Sequence, residues 1–157
     1  MRFVSRILLI CGAIVLVSAC QPRKPEFEIA SAVQQNDVEH LREYLAKGGN
    51  ANGLSRFEDP LLFLASGRQG GIGVTKLLID AGADVNVYGR NGITILSSAA
   101  SWCNVEEIQL LIAAGADVNL RGKNKANPME SVCETPERRR NLTIKLLISA
   151  GAVPLNK

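Results

Sequence analysis

Four times along the chain an apolar stripe with helical spacing runs into a glycine. The positions seven, four and three residues before Gly48, Gly82, Gly115 and Gly151 hold Leu41, Tyr44, Leu45, then Thr75, Leu78, Ile79, then Ile108, Leu111, Ile112, then Ile144, Leu147, Ile148. The position six residues back holds Arg42, Lys76, Gln109 and Lys145. Each segment therefore reads as a helix with one buried and one wet face. The glycine falls where a helix ends in a left-handed residue, a conformation that costs glycine least. Asn104 with Glu107 makes a capping box ahead of one helix, and Asn141 is placed to cap another.

The glycines recur at intervals of 34, 33 and 36 residues. Ala81-Gly82-Ala83-Asp84-Val85-Asn86 returns as Ala114-Gly115-Ala116-Asp117-Val118-Asn119, and more weakly as Lys47-Gly48-Gly49-Asn50-Ala51-Asn52 and Ala150-Gly151-Ala152-Val153-Pro154. Upstream of three of these helices stand Asp59-Pro60-Leu61, Thr94-Ile95-Leu96 and Asn127-Pro128-Met129. Each begins with a good N-cap residue, and two set proline at the first helical position, where its missing N–H does no harm. Each unit is thus two antiparallel helices followed by an extended turn. Neither helix can hide its apolar face alone, so the units must stack.

These residues resemble the ankyrin repeat, whose pattern runs Thr-Pro-Leu-His-x-Ala, then a second helix with Leu-Leu, then Gly-Ala-Asp-Val-Asn. The similarity spans about residues 27–156, in units of about 27–53, 54–87, 88–120 and 121–157, and implies an all-α solenoid of about four helix-turn-helix units with short β-turn connections. Residues 88–120 match best, at 33 residues, although Ile95 and Ser97 stand where the family has Pro and His. Longer loops are expected at 68–73 and 134–140. The first unit lacks an entering turn, as a cap does.

Residues 1–19 have a different layout: a basic start with Arg2 and Arg6, an apolar run from Ile7 to Val17, then small residues. This is a secretory signal peptide, since a spanning helix needs about 20 apolar residues. Val17-Ser18-Ala19-Cys20 resembles the lipobox of bacterial lipoproteins, which implies cleavage before Cys20 and a diacylglyceryl group on its thiol. Ordinary secretory cleavage near Ala19 is the alternative. Residues 20–26 are a lipidated tether, polar and Pro-rich, which holds the repeat domain of residues 27–157 within about 20–25 Å of the membrane. By resemblance to enterobacterial sorting signals, Gln21 directs the protein to the outer membrane, facing the periplasm.

Composition narrows the chemistry. The chain is 46% hydrophobic but 4% aromatic, so its core must be aliphatic. Loss of residues 1–19 removes Arg2 and Arg6 from 18 basic side chains and nothing from 15 acidic ones, leaving a near-neutral remainder with no case for nucleic-acid binding. His40 is the only histidine and lies in a polar helical segment, so no catalytic triad and no metal set is suggested. The glycines around Gly70 lack the Gly-Lys-Ser/Thr ending of a phosphate loop and read as an inter-helix insertion. Arg138-Arg139-Arg140 reads as a solvated run, and Asn141-Leu142-Thr143 matches a glycosylation sequon without meaning in a bacterium. An enzyme is not expected, nor a cofactor or a small-molecule substrate.

Alignment of the repeats sets Cys103 at the end of the first helix of unit three and Cys133 in the first helix of unit four. A disulfide between them would close about 30 residues and add around 3–4 kcal/mol in an oxidising periplasm, two buried thiols being the alternative. The ankyrin resemblance further implies that a partner protein docks on the concave side. There the tips carry Ser55, Arg56, Phe57, Tyr88, Arg90, Asn91, Arg121, Lys123 and Lys125, and the first helices carry Phe63, Ser98, Ser101, Trp102, Ser131 and Glu134. Aromatic and arginine side chains dominate binding hot spots, which points to Trp102, then Tyr88 and Arg90. Packing of the inter-helix loop is the other reading of Trp102. Lipid-anchored ankyrin proteins of bacteria include immunity proteins that neutralise toxins. A scaffold for a periplasmic enzyme is a second binding role, and a lipoprotein that braces the envelope is the alternative.

Overall fold

The computed structural model describes residues 25–66 and 71–153. Cys20, the tether residues before Pro25, the loop residues 68–70 and Pro154 lie outside the described residues. Seven helices follow one another: α1 (Pro25–Gln34), α2 (Val38–Ala46), α3 (Leu61–Ala65), α4 (Ile72–Asp80), α5 (Ile95–Ser101), α6 (Val105–Ala113) and α7 (Glu137–Ser149). No strand occurs among the described residues; the turns hold isolated antiparallel bridges, Leu54 with Pro60 and Tyr88 with Thr94. The molecule is an all-α repeat stack. The helices pair as α1 with α2, α3 with α4 and α5 with α6, while α2, α4, α6 and α7 pack successively into one layer.

The stripe ahead of each glycine is the seam of that layer. Leu41, Leu78, Ile108, Leu111 and Leu147 are fully buried, and Thr75 with them. Tyr44 is half-buried; its hydroxyl accepts from the Asn50 N–H at 3.0 Å and donates to the Asn50 carbonyl at 3.3 Å. Ile148, expected inside, is exposed. Gly82 and Gly115 adopt φ of +84° and +91°, the left-handed exit the pattern implies. Behind them the Asn of each Gly-Ala-Asp-Val-Asn stretch bridges units. Asn52 Oδ1 accepts from the Asp84 N–H at 2.8 Å while its Nδ2 donates to the Gly82 carbonyl at 3.1 Å. Asn86 repeats the first bond with Asp117, and Asn119 makes both toward Val153 and Gly151.

Several local expectations are corrected. Thr94 caps α5, accepting from the Ser97 N–H at 3.1 Å, but Asp59 does not cap α3: its Oδ1 accepts from the Arg90 N–H of the next turn at 2.8 Å, leaving Pro60 at the cap without a side-chain bond. Asn104 caps α6 by accepting from the Glu107 N–H, but the box is closed between side chains, Asn104 Nδ2 donating to Glu107 Oε2 at 2.9 Å. Asn127 and Glu130 do form the reciprocal box at 3.0 and 2.9 Å, yet it starts a single turn, not the helix expected there. The Cys133 N–H goes to the Ala100 carbonyl at 3.1 Å and its sulfur to Cys103, which pulls the chain off a helical course. So Cys133 lies in no helix, and Cys103 sits two residues past α5. Helix α7 begins at Glu137 and absorbs most of the loop expected at 134–140, which puts Asn141 inside the helix and not at its cap. Likewise Ile72 and Gly73 open α4 instead of ending a loop.

Candidate functional site

Between the turn tips and the first helices lies an open groove of about 310 Å³. Phe63 of α3 and Trp102, at the C-cap of α5, are its large apolar side chains, and Ser98, Ser101, Ser131, Asn91 and Asn124 give it a polar lining. Trp102 is half exposed. Gly89 lets the Phe63 ring approach the second tip, since a Cβ there would lie 2.4 Å from ring carbons. The Ser101 hydroxyl donates to the Ser98 carbonyl at 2.7 Å and that of Ser131 to the Asn127 carbonyl at 3.0 Å, so both serines are held down by backbone.

The tips are tied into a row. Besides the Asp59 bond to the Arg90 N–H, the Lys123 N–H donates to the Gly92 carbonyl at 2.8 Å. Asn91 and Asn124 each turn their own chain, accepting from the N–H two residues on at 3.1 Å. Phe57 is exposed, with the Arg56 and Arg90 guanidinium carbons 4.8 and 5.3 Å from its ring centroid. Arg90 Nε also lies 3.8 Å from Asp59 Oδ2. Arg121 donates to the Lys125 carbonyl and pairs with Glu130 at 3.5 Å.

The contact residues expected from sequence therefore fall into two sets. Phe63, Asn91, Ser98, Ser101, Trp102 and Ser131 line the groove, while Arg56, Phe57, Tyr88, Arg90, Arg121, Lys123 and Lys125 are exposed along the tips. Glu134 is exposed but lines no part of it, and Ser55 is buried, its hydroxyl accepting from the Phe57 and Asp59 N–H groups at 3.2 Å. The groove also includes Ile93, Ser97, Asn124 and Ala126, which sequence reasoning missed. Asn124 was within reach, standing 33 residues after Asn91 in the same register.

A family model described as ankyrin repeats, in three copies, matches residues 29–122, the stretch that carries these turns and most of the groove. The chain belongs to the ankyrin-repeat family. A search of curated proteins gives no match. Ankyrin repeats are protein-interaction modules and generally not enzymes. The groove's chemistry is that of contact. Hydroxyls and amides surround its two aromatic rings, the guanidiniums of Arg56 and Arg90 lie over Phe57 on the tips, and His40 lies far along the chain in α2, exposed and 3.9 Å from Asp37.

One titratable group of the ankyrin stack is buried away from these residues. Glu107 of α6 is 2% exposed, and burial pushes its carboxyl from the usual range up to about 7, although the bond from the Asn104 amide pulls it down. Its Oε1 has no hydrogen-bond partner. Glu107 stands eight residues before Gly115, where Val74 and Thr143 occupy the same register in α4 and α7, both buried. It belongs to the seam between units.

Proposed function

We propose that this chain is a lipid-anchored protein-binding module of a bacterial cell envelope. Residues 1–19 are removed, Cys20 carries the diacylglyceryl group, residues 20–26 form the tether, and the repeat domain of 27–157 faces the periplasm from the outer membrane. The single observation that carries the binding reading is the groove walled by Phe63 and a half-exposed Trp102 on a stack of rigid turns. A disulfide between Cys103 and Cys133 suits an oxidising compartment. Among the described residues no helix is long and apolar enough to cross a membrane. The specific role that fits best is an immunity protein that occupies a toxin in the periplasm; a scaffold for a periplasmic enzyme uses the same groove.

The test is made on the whole chain expressed with its own leader. Labelled palmitate is expected on the wild type and absent from Cys20→Ser. Cross-linking is expected to return one partner in stoichiometric amount, and Trp102→Ala to weaken its capture roughly tenfold or more at an unchanged melting temperature. A sharp fall in melting temperature would make Trp102 a packing residue, and many substoichiometric contacts would point to an envelope brace.

A further inference from the structure

We infer that the segment taken up by this groove is acidic and carries one large apolar side chain among its carboxylates; the inference rests on the protein-binding reading above. The tips repeat a cation in register, Arg56, Arg90 and Lys123, at intervals of 34 and 33 residues. The Arg90 N–H donates to the Asp59 carboxylate and the Lys123 N–H to the Gly92 carbonyl, bonds that hold successive tips together, so the row is built and not a matter of flexible side chains alone. Arg121 and Lys125 thicken it beside the groove, and all five cations are exposed. The acids of the same region are fewer: Asp59 pairs with Arg90 and Glu130 with Arg121, so Arg56, Lys123 and Lys125 stand against Glu58.

The second helices carry both signs: Glu39 pairs with Arg42 and Glu43 with Lys47, and α7 exposes Arg138, Arg139, Arg140 and Lys145. The tip row is therefore where exposed cations outnumber acids beside the groove, an arrangement that orients an acidic partner toward it. The groove sets the second requirement. Its 310 Å³ is at the lower edge of the roughly 300–1,000 Å³ that small-molecule sites occupy, room for one large side chain laid between Phe63 and Trp102 with adjoining backbone. A flat lipid surface would meet the cations but leave the aromatic walls wet.

Trp102 is the only tryptophan, so its emission reports this groove directly. The probe is a 12-residue peptide alternating Glu and Ser with one central Leu, titrated into the full-length chain. The expected result is a saturable change in Trp102 emission that weakens at least about tenfold between about 20 and 300 mM salt. A Lys-for-Glu peptide should give none, and a Ser-for-Leu peptide most of its loss in affinity. Arg90→Glu with Lys123→Glu should abolish the response at an unchanged melting temperature; should that pair unfold the chain, Arg90→Gln with Lys123→Gln takes its place with a weaker, same-signed effect. An equal response to the lysine peptide, or to either variant pair in its folded form, overturns the inference. So does displacement of the peptide by phosphatidylglycerol vesicles that give the same emission change. A cognate partner still captured through Trp102 by the charge-altered chain would keep the protein-binding reading and remove the acidic one.

Discussion

At the scale of single residues, the seam holds one member whose charge state matters for folding. Glu107 is buried in α6 with one carboxylate oxygen unbonded, and burial pushes its carboxyl up to about 7 when folded against 4.5 when exposed. The folded state therefore holds a proton that the unfolded chain gives up, so stability is full below about pH 4.5 and falls as pH rises through 7. Glu107→Gln keeps an acceptor for the Asn104 amide and removes the titration. It should match the wild type in acid and exceed it at pH 8 by up to about 3 kcal/mol, since each tenfold change in proton affinity is worth about 1.4 kcal/mol. Thermal melts at pH 5 and pH 8 read this; a wild-type midpoint independent of pH would show that Glu107 is solvated as an ion. Its helix cap was legible in the sequence, Asn104 followed three residues later by Glu107, but its burial was not. A glutamate in the first turn of an exposed helix has the same spelling, and the neighbours that dehydrate Glu107 come from other units.

Within an element, the glycine turns depend on side-chain amides that reach the next unit. Asn52 bonds both Gly82 and Asp84, whereas Asn91 only turns its own backbone. Asn52→Ala should therefore cost about 2 kcal/mol, near 1 for each bond lost, and Asn91→Ala less than about 1. Urea unfolding of the two variants checks the order; equal losses would mean that the amide bridge contributes nothing beyond the local turn. The recurrence of Asn52, Asn86 and Asn119 was plain along the chain. That this asparagine acts across the unit boundary was not, because a period in sequence does not say which neighbour a side chain meets.

Across the whole molecule, the fourth unit is built differently from the others. In place of a first helix it has a single turn at 128–131, held by the Asn127–Glu130 box, the Cys133 N–H on Ala100 and the Cys103–Cys133 bridge. The bridge spans 30 residues, a closure of the size that contributes about 3–4 kcal/mol. It also ties Trp102, its chain neighbour, to the segment that carries Ser131. Reduction should lower the melting temperature and strip hydrogen-exchange protection from the Cys133 amide first, with the amides of α2 and α4 retained until global unfolding. Uniform loss of protection across all units would mean that the bridge stabilises the stack only as a whole.

What the sequence determined by itself was the repeat: the period, the apolar stripe before each glycine, the left-handed exit and the all-α class. All follow from interactions between residues a few positions apart, which any stretch of chain carries with it. Only the tertiary structure decided that Asp59 serves the next tip and not its own helix, and that unit four lacks its first helix. It alone decided which hydroxyls, rings and cations border one groove. Each of these is a contest between a local bond and a partner about thirty residues away, and only stacking brings that partner within reach.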